Sequence, residues 1–214
     1  KLNDVNLKGV IDINAKNSLT LRGDFYQQDE QGSFGITQKE YENFGQFYNP
    51  MKNDRYTTER FATSATHEFR FNDDITVSTS FYWSKFHRDW WRQMNQNTTD
   101  TNCGQAFTEQ RLNGQAVNYD DCNFDRGRLR DYETWGVTQN LHAKHHLFGV
   151  DSELDAGYRT HFENQHRLTV DGTTPTARTG TLTENNDRFT DAYSGFAQNR
   201  FFLGDWTVTP GVRV

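Results

Sequence analysis

The chain is 214 residues long and carries 23 Lys and Arg against 29 Asp and Glu, and its formal charge of -6 argues against a sequence-wide binder of nucleic acid. Only 33% of residues are apolar, the mean hydropathy is -0.96, and no run approaches the roughly 18 to 20 apolar residues of a spanning helix, which excludes helical membrane proteins. Aromatic residues at 14% and only 3 Pro argue against disorder, because disordered chains are poor in aromatics. The 2 Cys are too few for a disulfide scaffold, and Lys1 opens without a start Met or signal peptide, so the chain reads as a piece of a longer protein.

Period-two alternation dominates from the start. Val5, Leu7, Gly9, Ile11 and Ile13 share one face of the first run, with Asn6, Lys8 and Asp12 on the other. A polar turn at Ala15 to Ser18 leads to Leu19, Leu21 and Phe25 opposite Thr20, Arg22, Asp24 and Tyr26, which predicts a hairpin. The stretch from 31 to 53 is irregular. Alternation returns in Phe61, Thr63, Ala65, Phe69 and Phe71, breaks at Asn72 to Asp74, and resumes in Val77, Thr79, Phe81 and Trp83. The longest irregular stretch runs from 92 to 128. Two runs follow, Leu129 to Leu141 and Leu147 to Phe162, joined by His142 to His146. A loop from 167 to 187 leads to Phe189 to Leu203, a turn at Gly204-Asp205, and a last run with Trp206, Val208, Val212 and Val214 on one face. Gln139 and Gln198 fit poorly into an apolar face of their strands, and Phe189 to Leu203 alternates badly.

The runs make about eight strands whose connections alternate short and long, an arrangement with no cause in a soluble sandwich but expected of an outer-membrane barrel. That topology puts 31 to 53, 92 to 128 and 167 to 187 outside, and 14 to 18, 72 to 75, 142 to 147 and 203 to 206 on the periplasmic side. Phe25, Phe81, Trp83, Trp90, Trp91, Trp135 and Tyr158 cluster near the long-loop ends; Phe69, Phe71, Phe148, Phe201, Phe202 and Trp206 cluster near the short turns. Two such bands are what aromatic girdles at two membrane interfaces produce. The fold class expected is all-β, a transmembrane antiparallel β-barrel segment, with a soluble sandwich or solenoid as the alternative.

The C-terminal hairpin carries a more specific signal. Ala192-Tyr193-Ser194-Gly195-Phe196-Ala197-Gln198-Asn199-Arg200, then Gly204-Asp205-Trp206-Thr207-Val208-Thr209-Pro210-Gly211-Val212-Arg213, with its Trp-x-x-Thr-Pro-Gly-x-Arg core, resembles the hairpin of TonB-dependent outer-membrane receptors. Arg130-Asp131-Tyr132, Gly136-Val137 and Ala156-Gly157-Tyr158-Arg159 are similar in order and spacing to the ferric dicitrate receptors of that superfamily. After Gly136-Val137 the chain has Thr138-Gln139 where that subfamily tends to carry an acidic residue and Pro. The resemblance implies a barrel of 22 strands, of which residues 1 to 214 form a partial domain of about eight. It also implies an N-terminal plug and TonB box, neither visible here, through which a TonB complex would energise uptake of a ferric chelate across outer-membrane lipid. The chelate is then cargo, with no resident cofactor and no nucleic-acid partner.

Among the charged residues, Arg22, Arg70, Arg88, Arg92, Arg111, Arg126, Arg128, Arg130 and Arg159 offer planar, permanently charged forks suited to an anionic chelate. The plainer account of any one is a pair with a lumen Asp or Glu. Arg130 matches a citrate-contacting position in the similar family, so it is the expected centre of a ligand site at the mouth, with Arg88, Arg92 and Arg128 as neighbours. His142, His145 and His146 form an H-x-x-H-H cluster that is either a metal site or an ordinary polar turn, and His87 and His161 each stand alone in the sequence. Cys103 and Cys122 share the longest loop, and a chain that folds through the oxidising periplasm is expected to pair them as a disulfide. No nucleophile, phosphate loop or paired carboxylate stands out, so no enzyme is expected. The readings carried forward are energised uptake of an iron chelate, a passive diffusion channel, and a barrel serving as a surface-binding or enzymatic scaffold.

Overall fold

The computed structural model describes residues 1 to 32, 35 to 93 and 104 to 214. Its strands are β1 (Leu2–Asn14), β2 (Asn17–Gln31), β3 (Arg55–Arg70), β4 (Ile75–Arg92), β5 (Asp125–Leu147), β6 (Val150–Gly172), β7 (Thr181–Leu203), β8 (Trp206–Val208) and β9 (Gly211–Arg213). Two short helices, α1 (Gln38–Phe44) and α2 (Gln105–Leu112), and a 3-10 turn at Tyr119–Cys122 lie in the long connections. All nine strands form one antiparallel sheet in chain order, β1 to β8, with β9 returning to pair with β7.

The eighth strand expected from the sequence is divided into β8 and β9. Their register against β7 is continuous, Phe201 with Val208 and Gln198 with Gly211, so nothing slips. The division falls at Pro210, which has no N–H to give the ladder, although its carbonyl still accepts from the Asn199 amide at 3.0 Å.

Two other boundaries differ from the sequence reading. β6 runs to Gly172 and β7 starts at Thr181, so the connection expected over 167 to 187 shrinks to 173 to 180. At the other end, His142 to His146 lie inside β5 and the turn is Phe148-Gly149, both at positive φ (57° and 78°), the two-residue geometry that matches strand twist. Inside the stretch read as irregular, Thr37 and Glu40 close a reciprocal capping box that starts α1.

The faces follow the alternation. Phe25 pairs Phe61, Trp83 pairs Trp135, and Trp135 pairs Phe162, and the rings interlock along this row: Phe61 with Trp83 at 5.9 Å, Trp135 with Phe162 at 4.1 Å, Phe162 with Tyr193 at 6.0 Å. Yet Leu7 (69%), Trp206 (76%) and Val212 (65%) on this face are largely exposed. A soluble protein would cover such a face; a lipid-facing wall leaves it bare. From Trp135 to Leu147 the strand climbs roughly 40 Å, which a tilt of about 45° reduces to roughly 28 Å, near the height of a barrel's apolar band.

Gln139 stays on the apolar face but donates to Thr79 Oγ1 at 3.1 Å, while Gln198 faces inward and reaches Asp155 at 3.4 Å. Both therefore find partners, as a low-dielectric setting demands. Trp90 and Trp91 depart from the expected outer band: Trp90 turns inward, and Trp91 is 4% exposed beneath the Arg178 guanidinium, 5.6 Å from its ring.

β5, β6 and β7 have 23 residues each, about twice the 9 to 11 a tilted strand needs to cross. Their upper halves stand clear of the apolar band. The connections close over them as one packed unit, whose small core is Met51, Val117, Tyr119 and Cys122 with Phe107 and Phe124 against it. Glu40 and Arg111 form a buried ion pair at 2.7 Å that joins α1 to α2. Burial pushes the Glu40 carboxyl up, but the Arg111 fork and the Thr37 amide outweigh it and hold the carboxyl below its usual range.

Candidate ligand recess

The inward face of the upper strands holds a recess of 620 Å³ lined by five arginines, Arg88, Arg126, Arg128, Arg130 and Arg167, and by Trp90, Tyr132, Gln165, Thr169, Thr183 and Glu184. Period-two geometry sends Arg126, Arg128 and Arg130 of β5 to the same side. Cross-strand pairing then sets Arg88 directly opposite Arg130, and Arg130 directly opposite Arg167. Three guanidinium residues stand in one row over three strands. Like charges facing across a sheet oppose folding, and among the lining residues a single carboxylate, Glu184, is there to offset them.

The five differ in how far they are already satisfied. Arg126 makes a two-pronged pair with Asp171, Nη2 to Oδ2 at 2.6 Å. Arg130 is 3% exposed; its Nη1 donates to the carbonyls of Leu129, at 2.8 Å, and Leu168, and its Nη2 to Glu184 at 3.3 Å. Arg167 approaches the other Glu184 oxygen at 3.5 Å. Arg128 is exposed, and Arg88 keeps a buried Nε with no hydrogen-bond partner among the described residues. The Trp90 ring lies between two guanidiniums, Arg88 at 5.9 Å and Arg92 at 4.6 Å, which stiffens both through the ring's negative face.

Of the four arginines singled out in the sequence, the structure brings Arg88, Arg128 and Arg130 into the recess lining, with Arg92 one row further up behind Trp90. Arg130 lies in the floor, so the open donors are Arg88 and Arg128. Arg167 and Glu184 escaped the sequence reading because both fell in a segment taken for a loop. Continued alternation, Leu168 and Val170 outward against Arg167 and Thr169 inward, is the signal that extends the strand.

Other candidates resolve differently. His142 pairs with Asp155 at 2.8 Å, His145 with Asn199 at 2.7 Å, and His146 with Asp151. These partners are separate, and among the described residues no group of three His, Cys, Asp or Glu could hold a metal. His87 bridges Asp89 and Asp131 at 3.1 and 2.8 Å, and His161 bonds Tyr82 at 2.7 Å, so neither stands alone. Arg111 belongs to the loop ion pair. Cys122 is 2% exposed in the loop core, whereas Cys103 lies outside the described residues, and their pairing remains an expectation.

A bare apolar outer face, interlocked aromatic rows and a polar inner wall with a charged recess define a wall segment of an outer-membrane β-barrel. Residues 5–214 match the family model described as TonB dependent receptor-like, beta-barrel, and the chain belongs to that family. No curated protein sequence matches it. Among solved structures, the ferric citrate transporter FecA in its unliganded form superposes with a TM-score of 0.80 at 14% identity, over 99% of this chain and 28% of that one. The open form of the ferric-catecholate import receptor Fiu from E. coli K12 gives 0.69 at 14% identity, over 99% and 36%. FpvAI, in its complex with pyocin S2, gives 0.70 at 14%, over 100% and 30%. The chain thus spans about a third of these proteins, and the likeness is one of fold.

Proposed function

We propose that the segment supplies wall and mouth to a receptor that captures an anionic ferric chelate, ferric citrate being the first candidate, and imports it with energy delivered through TonB. The observation that carries the reading is the pair of open guanidiniums, Arg88 and Arg128, in a recess lined by five arginines and one carboxylate among the described residues. A polycarboxylate chelate offers the planar oxygens that guanidinium forks bind in pairs. The chain's charge of -6 means that attraction is local to this recess rather than global. Arg88 and Arg128 hold the ligand, Arg92 steadies Arg88 through Trp90, and Arg130 positions the floor. Plug and TonB contact belong to parts of the receptor outside this chain. The likeness to FecA, a ferric citrate transporter, and to Fiu, a ferric-catecholate import receptor, supports an iron-chelate cargo.

The test is titration of the full-length protein with ferric citrate and with a neutral ferric trihydroxamate. Arg128→Ala, and separately Arg88→Ala, is expected to weaken ferric citrate binding by about 1.5 to 3 kcal/mol, the worth of a charge-assisted hydrogen bond. Binding that is unchanged in both variants would reject the recess as the ligand site. Uptake that persists in cells lacking TonB would reject energised import in favour of passive diffusion.

A further inference from the structure

Glu184 is the one carboxylate among the residues lining a recess with five arginines. An irregularity in the ladder lies directly above it. Thr169 pairs with Glu184 but the next residue, Val170, pairs with Leu182, so Thr183 is an extra residue in β7. From Phe201 up to Asn185 the strand alternates without a shift, Asn185 outward opposite Leu168, so Glu184 faces inward opposite Thr169. The bulge directly above it brings the extra residue Thr183 into the recess lining beside Glu184, a use of bulges that recurs where a side chain must be re-aimed beside a site. Once there, Glu184 is firmly held: Thr169 Oγ1 donates to it at 2.6 Å, Asn186 Nδ2 at 2.8 Å, Arg130 Nη2 at 3.3 Å, and Arg167 approaches at 3.5 Å. Four groups orient a carboxylate where a ligand carboxylate would otherwise bind.

We infer that Glu184 is the selectivity element of the recess, a built-in anion that occupies the Arg130 and Arg167 forks and confines an incoming chelate to Arg88 and Arg128. The inference rests on the reading of the recess as an anionic-chelate site. Its consequence is electrostatic. A ligand carboxylate entering the floor meets a fixed negative charge in a partly desolvated place, so each added negative charge on the ligand is penalised more strongly. The recess therefore accepts chelates of moderate charge and resists those that would need all five arginines. Coupling between the ligand and Glu184 is a negative interaction that a neutral ligand does not feel.

The experiment compares wild type, Glu184→Gln and Asn186→Asp in the full-length protein, titrated with ferric citrate and with the neutral ferric trihydroxamate at two salt concentrations. Gln keeps an oxygen for Thr169 and removes the charge, so ferric citrate binding is expected to tighten roughly tenfold, with a steeper salt dependence. Asn186→Asp adds a charge beside Glu184 and is expected to weaken the same binding by a similar factor, while the trihydroxamate responds to neither. Should Glu184→Gln fail to assemble, the opposite sign expected of Asn186→Asp still decides. Ferric citrate affinity that is unchanged or weaker in a folded Glu184→Gln, or unchanged in Asn186→Asp, overturns the inference while leaving the recess intact. Wild-type affinity that is indifferent to both Arg88→Ala and Arg128→Ala removes the recess reading itself.

Discussion

Arg128 and Arg130 are two residues apart and share a face, yet one is exposed and the other is 3% exposed with three hydrogen-bond partners. Sequence spacing identifies the face; only the neighbouring strand determines which guanidinium remains open. Gly136 makes a similar point about space. A Cβ there would lie 2.2 Å from the Thr160 carbonyl oxygen and 2.4 Å from the Tyr82 hydroxyl, and the first is backbone that cannot step aside. Gly136→Ala should therefore cost about 1 to 3 kcal/mol and disturb the Tyr82–His161 contact. The urea midpoint of the full-length protein refolded into lipid reads this, and an unshifted midpoint would show that the sheet relaxes freely at this point.

At the scale of elements, the Phe148-Gly149 turn can be tested separately from the wall. Both residues are at positive φ and Phe148 is 89% exposed, so its side chain has little packing to lose. Gly149→Val should lose about 1 to 2 kcal/mol by forcing a branched residue into the left-handed region, whereas Phe148→Asn should lose none because Asn tolerates that region. Equal losses in the two variants would mean that Phe148 acts as a membrane-interface anchor whose ring outweighs the backbone term. The turn was displaced from His142–His146 in the sequence reading because a polar, His-rich run was taken for a loop. In the structure His142 and His146 find carboxylates on β6 and His145 the Asn199 amide on β7. Polarity marks a loop only where partners are lacking.

At the scale of the whole molecule, the long connections are tied by a cluster of charges around two buried carboxylates, Asp54 and Asp125. Arg178, from the connection between β6 and β7, donates to Asp125 at 2.6 Å and to the Asn53 carbonyl at 2.8 Å, and the Gln93 amide donates to Asp54 at 2.7 Å. Burial pushes the Asp54 carboxyl up to about 6, the Gln93 amide and the Arg92 and Arg178 charges offsetting only part of it. Burial also pushes Asp125 up to about 7, Arg178 opposing and Asp54 adding to the rise. Both lie well above the ordinary range of an aspartate, so the closed arrangement binds more protons than the open one. Its stability is greatest at acid pH, falls as pH rises from about 4 through the 6 to 7 window, and levels off above it. Hydrogen exchange, corrected for its intrinsic pH dependence, should show the backbone around 53, 93 and 173 to 180 opening more readily at pH 8 than at pH 5.5, about a tenfold effect for each net proton over one pH unit within the window. Asp125→Asn should flatten the difference; a wild type with equal protection at both values would refute it.

The sequence by itself determined the barrel wall, because a lipid-facing sheet writes its geometry into local alternation, and the alternating connection lengths and the Trp206 to Arg213 hairpin carry that over to topology and family. It also singled out Arg130, through the family resemblance, with Arg88, Arg92 and Arg128 as its neighbours at the mouth. Tertiary structure alone decided that Arg167 stands opposite Arg130, that Arg130 is enclosed, and that Glu184 reaches both. The reason is that a cross-strand neighbour is set by register between segments 37 or 54 residues apart, as Arg167 and Glu184 are from Arg130. Which charge meets which across the strands depends on that register, and no local pattern in a polar segment records it.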